Sequence, residues 1–76
     1  RGNMRKKSKQ AKHQRAELRR ATEEIVEILG SLSAAYSCFN NISDPDLTEA
    51  YIYEINALRA RYDCALRRLK QAASLL

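Results

Sequence analysis

The chain contains few of the residues that build catalytic or metal-binding sites. Its 76 residues include one histidine, two cysteines, one proline and no tryptophan. His13 lies in a lysine-rich tract far from both cysteines, and no pair of potential ligands has a spacing typical of a metal site. The serines follow no nucleophile motif and have no histidine partner. We therefore expect a protein that is not an enzyme and has no metal, cofactor or small-molecule substrate.

Long apolar runs are also absent. No segment approaches the roughly 18 apolar residues of a membrane span, and no hydrophobic region follows the basic N-terminal residues as it would in a secretory signal. Cys38 and Cys64 are expected to be reduced thiols, which is typical of the cytosol. These features predict a cytoplasmic protein without a membrane span. A disulfide between two chains is the alternative for the cysteines.

Two coiled-coil patterns predict two long amphipathic helices. In the first, two interleaved lines of apolar residues repeat every seven residues: Leu18, Ile25, Leu32 and Phe39, with Ala21, Ile28 and Ala35. In the second, the two lines are Ile55, Tyr62, Leu69 and Leu76, and Tyr51, Leu58, Ala65 and Ala72. Such a repeat places each set of residues on one face of a helix.

The segment Asn40-Asn41-Ile42-Ser43-Asp44-Pro45 predicts a turn between these helices. An asparagine can end a helix in the left-handed conformation. Ser43 or Asp44 can cap the next helix, and Pro45 suits its first turn. A short turn between long helices makes them antiparallel neighbours. The expected fold class is all-α, an antiparallel two-helix hairpin.

The expected boundaries follow from these patterns. Residues 1–13 form a basic tail that is disordered or a frayed helical extension. The hairpin domain, 14–76, has a helix at about 14–39, the turn at 40–45 and a helix at about 46–73. Gly30 lies within the first helix, either as a tolerated weak position or as a place where another helix approaches closely.

A chain of this size needs stabilisation by disulfides, metals or oligomerisation, and the sequence leaves only the last. The second helix is nearly apolar all round between residues 50 and 60, which predicts burial on several sides. We expect two hairpins to pair into a four-helix bundle, as a homodimer or higher oligomer, or a partner protein to supply the missing helices. The predicted oligomer interface comprises Ala50, Tyr53, Ala57, Ala60 and Cys64.

Lysine and arginine are absent from residues 21–58, which carry seven acids. Residues 1–20 carry nine basic residues and residues 59–76 carry five, with one acid in each segment, so the chain has a net charge of +5. A hairpin collects the basic residues at its open end, where Glu17 is expected to pair with Lys70 or Arg67. The candidate polyanion-binding residues are Lys6, Lys7, Lys9, Lys12, Arg15, Arg19, Arg20, Arg67, Arg68 and Lys70.

Three interpretations of this charge pattern remain open. The basic end binds nucleic acid by neutralising phosphates, the charges are complementary within an antiparallel assembly, or they serve solubility alone. The first gives the expected function, a self-associating hairpin that binds a polyanion. The second gives the alternative, an interaction or assembly module without a nucleic-acid role.

The second helix carries a distinctive motif. It comprises Ser43-Asp44-Pro45-Asp46-Leu47, Tyr51-Ile52-Tyr53-Glu54-Ile55-Asn56-Ala57, Arg61-Tyr62 and Leu66-Arg67-Arg68-Leu69-Lys70. The motif resembles the YaaL-like small proteins of Gram-positive bacteria, a family of unknown function, and the resemblance covers most of the chain. It implies a cytoplasmic bacterial protein of about this length. Genes of that family often lie near one for a recombination mediator, which favours a link to DNA. The resemblance implies no activity, ligand or site residue.

Overall fold

A computed structural model describes the backbone of residues 2–75 and the side chains of residues 9–75. The chain forms two helices, α1 (Gly2–Asn41) and α2 (Pro45–Ser74), and the described residues contain no strand. Residues 42–44 connect the helices, which pack against each other in opposite directions. The predicted all-α hairpin is therefore confirmed, and the bounds of α2 agree with the prediction within one residue.

Asp44 caps α2. Its Oδ1 accepts a hydrogen bond of 2.9 Å from the backbone N–H of Asp46, and Pro45 follows in the first turn, where no N–H is required. The backbone carbonyl of Asp44 accepts a bond of 2.9 Å from the backbone N–H of Thr48 and another of the same length from its hydroxyl. The sequence left Ser43 and Asp44 as equal choices; the structure selects Asp44.

The end of α1 differs from the prediction. Among the described residues none has a positive φ, so neither asparagine takes the left-handed conformation. Instead, the side-chain amide of Asn41 donates a hydrogen bond of 2.9 Å to the carbonyl of Ser37. This bond ties the Asn41 side chain back to the last turns of α1.

The core is narrow and consists of the predicted heptad residues. Among residues 9–75, three large aliphatic side chains are buried, and the other buried positions are alanines. The buried residues are Ala21, Ile28, Ala35, Ile55, Leu58, Ala65 and Ala72. Leu32, Phe39 and Tyr51 pack against the cluster of Ala35, Ile55 and Leu58 near the turn. The alanines let the two helices lie close together, but they bury little apolar area.

The helices differ in length, and this difference shapes the open end. α1 has 40 residues and α2 has 30. The molecule is 65 Å long, whereas α2 spans only about 45 Å at ~1.5 Å per residue. Gln14 lies beside Ala72 and Leu75 at the end of α2. Residues 2–13, here called the basic arm, therefore extend past α2 as a single helix.

α1 begins earlier than the heptad pattern predicts. The pattern predicts a helix from about residue 14, but α1 begins at Gly2. Residues 4–13 consist mainly of lysine, arginine, glutamine and alanine, which favour a helix without any packing partner. The first heptad residue thus marks where the pairing of α1 with α2 begins, while helix propensity extends the helix further.

Neither helix contains a stretch apolar enough to span a bilayer, over the residues that the structure describes.

Candidate functional site

The basic residues of α1 lie on one face of the helix. Lys9, Lys12, Arg15 and Arg19 are exposed, and their spacing of three or four residues aligns them along the helix. Lys6 and Lys7, which belong to the same predicted set, lie outside the residues whose side chains the structure describes. The first acidic residue of the chain is Glu17. The basic arm therefore contains no negatively charged side chain that could neutralise its lysines.

The basic residues of α2 lie at the same end of the hairpin. Arg67, Arg68 and Lys70 are exposed and line an open groove together with Cys64, Gln71 and Ser74. Hence the fold places the predicted residues of α1 and α2 at one end, as expected. They do not form one uninterrupted cluster, because two acidic side chains lie among them.

Glu17 is the first of these acids, and its partner differs from the prediction. It forms an ion pair with Arg20, one turn later in α1, rather than with Lys70 or Arg67. A residue three positions away in the same helix is already a neighbour, so no long side chain has to cross to α2. The hydrogen bond and charge of Arg20 hold the pKa of Glu17 below its ordinary value of 4.5, and His13 and Arg68 contribute to the same effect.

Glu24 is the second acid. It accepts a hydrogen bond of 3.1 Å from Arg68, and this ion pair joins the two helices. Arg68 also donates to the sulfur of Cys64 at 3.7 Å. Consequently Arg20 and Arg68, two of the ten predicted polyanion-binding residues, are already paired within the hairpin, whereas the basic arm lies beyond both pairs.

The two cysteines are free thiols. Cys38 is exposed and Cys64 is half-buried. The nearby Cys38 thiol raises the pKa of Tyr51 above its ordinary value of 10.0. The Tyr51 phenol therefore stays protonated at neutral pH, and its ring packs against the core. The described residues contain no group of three or more side chains suited to holding a metal ion.

The hairpin has two long sides that differ in chemistry. On one side lie the residues that directly precede core positions, and the pairing of Glu24 with Arg68 shows that these residues of α1 and α2 share that side. We call this side the charged flank; its charged members are Glu17, Arg20, Glu24, Glu27, Glu54, Arg61 and Arg68. Ser31 lies between them, in open grooves that contain Glu54 and Arg61.

Residues that directly follow core positions share the opposite side, called here the apolar flank. Its large apolar residues, with their exposed fractions, are Val26 (65%), Leu29 (49%), Tyr36 (44%) and Ile52 (44%). None of these four residues belongs to the interface predicted from the sequence. The signal that identifies this flank is the repeated occurrence of an apolar residue immediately after a core residue.

The interface predicted from the sequence lies on the outer surface of α2, where Ala50, Ala57 and Cys64 border the charged flank. Ala50, Ala57 and Ala60 are exposed and Cys64 is half-buried. Tyr53 is 67% exposed, and its hydroxyl donates a hydrogen bond of 3.2 Å to Glu49. Arg68 of the hairpin contacts Cys64, whereas the other four residues are exposed, and the role of all five in an oligomer stays a prediction.

Gly30 lies in open space on the outside of α1. A Cβ atom added there would meet nothing within 4 Å. The glycine therefore does not serve a close approach of α2. A close approach by a helix of another chain is the form of that interpretation that stays a prediction.

Comparison with known proteins gives no relative. No protein-family model matches the chain, and no curated protein or solved structure is significantly similar to it. The resemblance to the YaaL-like family stays a prediction from the motif in α2.

Proposed function

We propose that the chain is a non-enzymatic, cytoplasmic helical hairpin that self-associates and binds a polyanion, nucleic acid, through its basic end. The basic arm is the observation that carries this proposal. It extends about 18 Å beyond α2 at ~1.5 Å per residue, and it contains no acidic residue. Like charges at helical spacing repel one another, and an anionic partner would relieve that repulsion.

The exposure of the arm's described side chains supports phosphate contacts. Lys9 and Lys12 are exposed, and Arg15 and Arg19 continue the same face toward the hairpin. Each neutralised phosphate releases counterions, so several such residues give an affinity that falls steeply with salt and depends little on base sequence. No aromatic residue occurs in the arm, so base stacking has no support here.

A second candidate function is an assembly module whose charges are neutralised within the complex. The pairs Arg20–Glu17 and Arg68–Glu24 favour it, because they already neutralise part of the basic end. The two candidates differ in what they expect of the arm. Only polyanion binding requires its lysines to contact a ligand.

A salt titration of binding to a DNA duplex tests the proposal. We expect wild-type binding to weaken steeply with salt. Replacing the four lysines Lys6, Lys7, Lys9 and Lys12 with Gln should weaken it further and reduce the slope of log K against log salt by about 0.9 for each phosphate that is no longer neutralised. Arg61→Gln, a loss of charge far from the arm, is the control and should leave the slope unchanged.

Two results would overturn the polyanion function. One is no wild-type binding at about 50 mM salt, a concentration at which phosphate contacts are still strong. The other is a four-lysine variant with the wild-type slope. Either result would leave the assembly module as the better proposal.

A further inference from the structure

We infer that a second copy of this chain covers the apolar flank, with the two hairpins running in opposite directions, so that α1 packs on α1 and α2 packs on α2. This inference rests on the self-association proposed above. It adds the face that is used and the orientation of the two copies. In this inference the dimer interface is the apolar flank, to which both helices contribute, instead of the outer surface of α2 predicted from the sequence.

The exposed area of a single hairpin leaves room for a partner. The chain exposes 6161 Å², whereas a globular monomer of 8.7 kDa exposes only about 4,700 Å². The basic arm and the two uncovered flanks both contribute to the excess of roughly 1,400 Å². A stable interface buries ~800 Å² on each partner, so a dimer through one long side would bring the exposed area closer to that of an ordinary folded protein.

The apolar flank gains from burial through its large apolar residues, and α2 also places Arg59, Asp63 and Lys70 on this side. Its four large residues are all at least 44% exposed, and no ion pair among the described side chains lies on it. The charged flank would instead require Glu24 and Arg68 to lose water, which costs free energy unless the pair is ideally placed.

The α1 residues of the apolar flank are self-complementary about a two-fold axis. Val26, Leu29, Ser33 and Tyr36 are spaced by three, four and three residues along this flank. A two-fold axis level with residue 31 sets Val26 opposite Tyr36 of the second copy and Leu29 opposite Ser33. No large side chain then meets its own symmetry copy. The two Val26–Tyr36 contacts lie at equal distances on either side of the axis.

The register of the hairpin fixes what α2 presents at the same level. Glu24 pairs with Arg68, and Cys38 lies beside Glu54, so residue 31 of α1 is level with residue 61 of α2. Arg59 and Asp63 lie equally far from that level, and both directly follow core positions. Around the same axis, Arg59 of each copy therefore faces Asp63 of the other. Neither residue has an ion pair among the side chains that the structure describes.

The ends of the hairpin favour the same orientation. Antiparallel copies place Glu49, near the turn of one hairpin, level with Arg19 at the open end of the other. Parallel copies would instead set acidic turn against acidic turn and basic end against basic end, which is repulsive. The basic arms extend past the turns of the opposite copies and stay free.

A charge-reversal experiment tests both face and orientation. Arg59→Asp alone sets Asp against Asp across the axis, and Asp63→Arg alone sets Arg against Arg. We expect each variant alone to dimerise about tenfold more weakly or worse. An equal mixture should form heterodimers preferentially, because both contacts become attractive only between unlike chains. Native mass spectrometry measures the species, and circular dichroism verifies that each variant is helical.

The matched control reverses the same charges on the charged flank. A mixture of Arg61→Asp and Glu54→Arg should give heterodimers only in the statistical proportion. A wild-type dimer whose Arg59→Asp and Asp63→Arg variants show no preference for each other, or no more than the controls, would overturn the inference while leaving self-association intact. A wild-type monomer at tens of micromolar would overturn self-association itself, and DNA binding would be judged separately by the salt titration.

Discussion

The two flanks of the hairpin differ in the side chains that they expose to solvent. The charged flank holds acids and arginines, including the Glu24–Arg68 pair. The apolar flank holds valine, leucine, isoleucine and tyrosine side chains that are about half-exposed or more, and its charged residues on α2 include Arg59 and Asp63. In the inferred dimer, water covers the charged flank and a second copy covers the apolar flank. Each prediction below tests that division.

The largest expected effect comes from placing a charge on the apolar flank. Leu29→Glu should weaken dimerisation by about 100-fold or more, because each dimer would bury two carboxylates in place of two leucines. Ala57→Glu adds the same charge to the outer surface of α2 and should leave the dimer intact. Light scattering across a concentration series measures both. The reverse result, dissociation by Ala57→Glu alone, would favour the interface predicted from the sequence.

A smaller effect is expected beside the flank, at Gly30. Gly30→Ala should raise the free energy of unfolding by about 1 kcal/mol, since alanine favours a helix and the added Cβ meets nothing in the hairpin. Urea unfolding at constant protein concentration measures the change. A loss of stability would mean that a helix of the second copy approaches Gly30 closely and that the interface extends further around α1.

The smallest effect is expected on the charged flank. Glu24→Gln removes the ion pair with Arg68, whose partners are half-exposed, so the loss should stay below about 1 kcal/mol and shrink as salt is added. Glu23→Gln removes the same charge from an exposed position without a described ion pair and is the control. Urea midpoints at low and high salt compare the two. If Glu24→Gln lowered the urea midpoint as much as Leu29→Glu or more, the roles assigned to the two flanks would be reversed.

The core could be predicted from the sequence because heptad spacing reports which residues face a partner helix. Ile28, Ile55 and Leu58 are buried as expected, and the turn lies where Pro45 and Asp44 indicate. The start of α1 could not be predicted from the same pattern, since residues without a partner continue the helix through propensity alone. The pairing of Glu17 was missed because a neighbour in the same helix competed with the residues across the hairpin.

The candidate site was predicted only in outline. Composition indicated a basic open end, and the structure places the named residues there, but it also shows that Arg20 and Arg68 have acidic partners. The apolar flank was missed because the sequence alone does not determine whether residues next to a core stripe are buried or exposed. Whether Val26 or Tyr36 belongs to the core or to an outer surface depends on the side at which the second helix packs.

The unequal lengths of α1 and α2 have a consequence for how tightly an antiparallel dimer would hold an anionic partner. Its two arms would project from opposite ends, with their Lys9 residues about 65 Å apart at ~1.5 Å per residue. That distance is close to two turns of B-form DNA at about 34 Å per turn. Each dimer would therefore be bivalent, and engagement of both arms on one duplex would raise the affinity by about 10² to 10⁴ over a single arm.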